Sequence, residues 1–125
     1  MLKILRYLIL CALGLLSHNA YAEELACTYR WAGKSENHPV LIDIVGDVAT
    51  TRGGYLNREF RVIENSRTDL IIIQTNTKAS SGKEYPVGAS LIVLDRATGI
   101  MVRSNTHTDN SFNNHAIGQC IRVLR

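Results

Sequence analysis

The chain has 125 residues, 46% of them apolar and 20% charged, with 14 Lys and Arg against 11 Asp and Glu. Two of those cations, Lys3 and Arg6, and none of the acids fall in the first 22 residues, so the remainder is close to neutral with its charges interspersed singly. That balance lacks the dense basic stripe of a nucleic-acid binder, and residues 23–125 suffice for one domain with one core but not for two.

Residues 1–22 are expected to be a cleaved secretory signal peptide. Lys3 and Arg6 give a positive start, the run from Tyr7 to Leu16 is apolar, and Ala20-Tyr21-Ala22 has the small-x-small pattern that a signal peptidase accepts. A membrane anchor would need roughly 20 apolar residues, about twice what this run offers. A lipoprotein would use Cys11, but Leu10 stands where a small residue is expected. The expected location is therefore the periplasm or the exterior, with no membrane span in the mature chain.

The mature segment holds two cysteines, Cys27 and Cys120, one near each end. In an exported chain such a pair is most simply a disulfide. Closing a loop of about 90 residues removes roughly 4 to 5 kcal/mol of unfolded-state freedom in the chain-entropy model. The bond would also make the first and last segments spatial neighbours, within about 7 Å between Cα atoms.

In chain order, residues 25–31 alternate Leu25, Cys27, Tyr29 and Trp31 against Ala26, Thr28 and Arg30, the period of a half-buried strand. Residues 39–45 repeat the pattern, Gly46-Asp47 turns the chain into a strand over 48–52, and Gly53-Gly54 punctuates again. The segment 55–64 fits both a helix and a strand; it is read as a strand because Asn65-Ser66 closes it quickly and the β-branched run 70–74 follows. A long polar connection, 76–88, leads to strands at 90–95 and 100–106, and a last strand is expected over 119–124. About eight short strands without an amphipathic helix read as a small all-β antiparallel eight-stranded barrel, or a sandwich. The disulfide favours closure, which removes the sheet edges.

Three segments are candidates for chemistry. Residues 95–99, Asp95-Arg96-Ala97-Thr98-Gly99, read as a turn: Asp95 caps backbone N–H groups and Gly99 supplies positive φ. A calcium site at Asp95 would need further oxygen ligands that are missing nearby. Residues 106–120, THTDNSFNNHAIGQC, bring together His107, Asp109, His115 and Cys120. These residue types ligate metals or move protons, yet Cys120 is claimed by Cys27 and the asparagines mark a solvated loop, so no metal, cofactor or catalytic residue is expected. No glycine-flanked nucleophile elbow, phosphate loop or dinucleotide fingerprint occurs. The third segment, 79–88, joins small flexible residues to Lys83, Tyr85 and Pro86. A connection longer than a hairpin requires is a functional hint, and a loop tyrosine supplies contact area at low entropic cost.

Cys27-Thr28-Tyr29, Ser81-Gly82-Lys83-Glu84-Tyr85 and Cys120 together resemble features of the bacterial periplasmic inhibitors of c-type lysozyme. That resemblance implies an exported eight-stranded barrel that blocks a lytic enzyme through an S-G-x-x-Y loop. The family's following Trp and Lys-Gly pair is replaced here by Leu91-Ile92-Val93-Leu94-Asp95, so its second inhibitory contact is missing. The expected function is an exported protein-binding domain, not an enzyme, acting on another envelope or extracellular protein through Ser81, Gly82, Lys83 and Tyr85. The alternatives are an enzyme, metal-dependent or hydrolytic, built on His107, Asp109 and His115, and a carrier of a small apolar ligand in the barrel interior.

Overall fold

The structure is a computed structural model, and it describes residues 22–53, 58–76, 87–109 and 113–124. The strands are β1 (Ala22–Trp31), β2 (His38–Val45), β3 (Val48–Arg52), β4 (Arg58–Asn65), β5 (Asp69–Asn76), β6 (Gly88–Asp95), β7 (Ile100–His107) and β8 (Asn114–Arg122). Each pairs antiparallel with the next, and β1 pairs with β8, giving a closed eight-stranded barrel rather than a sandwich. Among the described residues no helix is long and apolar enough to cross a membrane.

The closing seam carries the expected disulfide. Cys27 and Cys120 are directly opposed in the β1–β8 register, with Cα atoms 4.0 Å apart. Two residues further along β1, Tyr29 lies opposite Gly118, where any Cβ would run into the Thr28 carbonyl and sit 2.8 Å from Tyr29 Cα. Glycine there lets the two strands meet while the Tyr29 ring fills the interior.

Strand alternation sends one residue in two inward. At mid-barrel and below, the inward set is apolar, and Phe60, Ile42, Ile44, Leu70, Ile72, Ile92 and Met101 are almost completely buried. Each such side chain contributes roughly 1.5–3 kcal/mol through burial. A bulge between Val62 and Glu64 on β4 turns Ile63 out to solvent and restores the phase, so that Asn65, exposed at the barrel end, pairs with the buried Leu70. The outer surface of β2–β4 is charged, with Asp43, Arg52, Glu59 and Arg61, whereas β6–β8 expose Val93, Val102 and Ile117 in one row.

One expectation needs correction. Residues 106–118 are not a loop into a strand over 119–124: β7 runs on to His107, and β8 begins at Asn114 and ends at Arg122. His115 and Gly118 are therefore strand residues, paired with Ser104 and Met101.

Candidate functional site

The two ends of the barrel are built differently. Short turns at 46–47, 66–68 and 96–99 close one end, and the first strand begins there. As read from the sequence, Asp95 caps the last of these turns: the N–H groups of Ala97 and Thr98 donate to its Oδ1 at 2.9 and 3.3 Å, and Gly99 takes φ of 76°. Arg96 then reaches across this end. Its Nη1 and Nη2 donate to both carboxylate oxygens of Glu23 at 3.0 and 2.7 Å, and Nη2 also meets Asn65 Oδ1 at 2.7 Å. The crevice beside it is lined by Glu23, Glu24, Asp43, Arg52 and Arg122. Those charges neutralise one another, with Arg52 on Asp43 at 2.5 Å and Arg122 on Glu23 at 3.6 Å.

All four longer connections, 32–37, 53–57, 77–87 and 108–113, depart from the opposite end. There the inward positions turn polar. The apolar inward series of each strand continues as Arg58 after Phe60, Gln74 after Ile72, Ser90 after Ile92, and Arg103 after Met101. Tyr29, Trp31 and His38 complete this half as an aromatic wall: Tyr29 meets Trp31 edge to face at 5.6 Å between ring centres and stacks on His38 at 5.5 Å.

Arg103 is the centre of that arrangement. Its guanidinium carbon lies 5.4 Å from the Trp31 ring centre and 5.7 Å from that of Tyr29, within the range of cation–π attraction. Nη1 donates to the Tyr29 hydroxyl at 3.5 Å, while the buried Nε has no partner among the described residues. Burial pulls this guanidinium below its ordinary pKa, and the like charge of Arg58 pushes it further down against an opposing effect of Tyr29. It nevertheless remains a cation at any physiological pH. Arg58 itself donates to Gln74 Oε1 at 3.2 Å. Ser90 is only 5% exposed, and its hydroxyl also lacks a partner among the described residues. An unsatisfied buried donor of this kind costs about 1–3 kcal/mol. No described carboxylate occupies an inward strand position in this half; Glu59, next to Arg58, alternates outward.

The residues singled out from the sequence fall as follows. Ser81, Gly82, Lys83 and Tyr85 lie outside the described residues; the connection that carries them leaves β5 at Asn76 and re-enters at Gly88, both at the open end. His107 faces inward against Gly88, where a Cβ would strike its ring. His115 pairs with Ser104 on the outer face, and Asp109 is exposed on the connection beyond β7. The two histidines thus lie on opposite faces of the sheet. Among the described residues no group of three or more His, Cys, Asp or Glu is placed to hold a metal ion. The apolar half of the interior is filled by side chains from Phe60 to Met101.

Sequence reasoning missed Arg58, Ser90 and Arg103. The signal was present: each keeps the parity of the inward apolar residues two positions away, in R-E-F, S-L-I-V-L and M-V-R. A polar residue on the inward phase of a barrel strand is a site candidate. Comparison of the chain with protein-family models, with curated proteins and with solved structures finds no match.

Proposed function

We propose that this is an exported binding protein that acts by protein–protein contact through the open end of its barrel. In this reading it blocks an envelope lytic enzyme or toxin, of which a lysozyme is the type. The observation that carries it is the segregation of the molecule into a self-satisfied closed end and an open end. The open end bears every longer connection and the cationic, aromatic interior around Arg103. Solvent-facing loops on a rigid scaffold are where binding residues concentrate, and Tyr, Trp and Arg are the residue types enriched at binding hot spots. The S-G-x-x-Y segment, Ser81 to Tyr85, adds a likeness to lysozyme inhibitors, in the connection between Asn76 and Gly88 whose strand ends lie at the open end. The disulfide-closed barrel suits an oxidising compartment outside the cytoplasm.

The test is inhibition of peptidoglycan hydrolysis by a c-type lysozyme, together with capture of partners from envelope extract. Replacing Lys83 and Tyr85 with Ala should weaken inhibition or capture at least tenfold while the melting temperature stays within about 2 °C, as for surface substitutions generally. Unchanged affinity in that variant would remove the loop from the binding surface. The absence of any captured or inhibited protein would end the reading.

A further inference from the structure

We infer that the open end of the barrel is a receptor site for a carboxylate group, gripped by Arg103 and flanked by Ser90 and Arg58. This rests on the binding reading above only in using the same end of the molecule. The strongest argument is which edge of the guanidinium is used. Nη1 is turned to Tyr29, so the edge formed by Nε and Nη2 makes no bond to a described residue. That edge is the one that holds a carboxylate through two parallel hydrogen bonds.

Two further observations point to the same ligand. Ser90 lies diagonally across the β6–β7 ladder from Arg103, since Ile92 is the direct partner of Arg103, and so presents within reach of a group bound there a hydroxyl that no described residue engages. Arg58, on the inward phase of β4 two residues from Phe60 and bonded to the inward Gln74, places a second positive charge on the same side of the sheet. A guanidinium kept in a barrel only for packing would carry an internal acid, as Arg96 carries Glu23 at the other end. None faces Arg103.

The carboxylate has two sources, an acidic side chain of a partner protein or a free small acid, and the experiment separates them. Trp31 is the one tryptophan of the chain and lies against Arg103, so its fluorescence reports on the site. The oxidised protein is titrated with sodium benzoate, with a terminally blocked glutamyl tripeptide, and with the matching glutaminyl tripeptide. We expect saturable Trp31 quenching by at least one carboxylate and none by the glutaminyl peptide. Affinity should fall at least tenfold in 0.5 M salt and at least tenfold in Arg103→Gln, with an intermediate loss in Arg103→Lys, which keeps the charge but not the two-donor edge. Binding of the glutamyl peptide assigns the source to a protein side chain; binding of benzoate alone assigns it to a free acid. Quenching by neither, or undiminished binding in a folded Arg103→Gln variant, overturns the proposal, and if that variant fails to fold, equal binding of the glutaminyl peptide does so. A carboxylate titration that survives the Lys83 and Tyr85 replacements, in a protein that captures no partner, would uphold this site while ending the protein-binding reading.

Discussion

The closed and open ends of this barrel hold the same kinds of residue in opposite states. At the closed end Arg96 is inserted between Glu23 and Asn65, with both terminal nitrogens engaged and only Nε lacking a partner among the described residues. At the open end Arg103 is comparably enclosed, yet its contacts are two aromatic rings and one long bond to a hydroxyl. The first arrangement satisfies the side chain from within the chain, as structural polar groups usually are. The second leaves hydrogen-bonding capacity directed at nothing in the described residues. A barrel end that is already paired holds the fold together, and one with idle donors is prepared for something else.

The comparison can be broken most forcefully in the layer the two ends share. Phe60 is 2% exposed, and Phe60→Ala should cost about 3–5 kcal/mol in denaturant unfolding, the range for truncating a buried aromatic. A cost below about 1 kcal/mol would mean that the interior is not filled and that the apolar half is itself a cavity. Removing the disulfide with Cys27→Ala and Cys120→Ala comes next, at about 2–5 kcal/mol. The bond joins strands 93 residues apart and fastens the seam between them. Labelling of both cysteines by a thiol reagent in the oxidised native protein would contradict it.

Most of this architecture was legible because alternation is a direct readout of a two-faced strand. Residues 25–31, 39–45 and 90–95 show it plainly, and the β-branched run 70–74 marks a strand buried more nearly on both faces. β8 was read wrongly for a physical reason. Its inward residues, Asn114, Ala116, Gly118 and Cys120, are small or polar, because Tyr29 and Trp31 of β1 supply the bulk there. Its large apolar residues, Ile117 and Ile121, face out at 59% and 71% exposure. The hydrophobic phase therefore points to the wrong face, and the asparagines nearby resemble a loop. The site was harder still. The inward phase of Arg103 and Ser90 can be read locally, but the residues that surround them across β1, β4 and β7 are brought there by pairings no local pattern contains.

At the closed end, Arg96→Ala should cost about 1.5–3 kcal/mol, the value of hydrogen bonds to a charged group. Glu23 would keep only the more exposed Arg122, 3.6 Å away. Equilibrium unfolding measures it, and Asn65→Ala should show a smaller loss in the same direction. If Arg96→Ala were neutral, the closed end would not be the structural one and the contrast between the ends would disappear.

The smallest effect is the most discriminating. Ser90 is enclosed between Asn105 on β7 and Gln74 on β5, with no partner for its hydroxyl among the described residues. Deleting a buried donor that has no partner removes a desolvation cost and no bond. Ser90→Ala should therefore leave stability unchanged or raise it by up to about 1 kcal/mol, while lowering carboxylate affinity at the open end a few-fold. A fall in stability of more than about 1 kcal/mol, measured by denaturant unfolding, would show that the hydroxyl already serves the fold. The same substitution would then place Ser90 with Arg96, among the groups that hold the barrel shut, and leave the carboxylate site resting on Arg103.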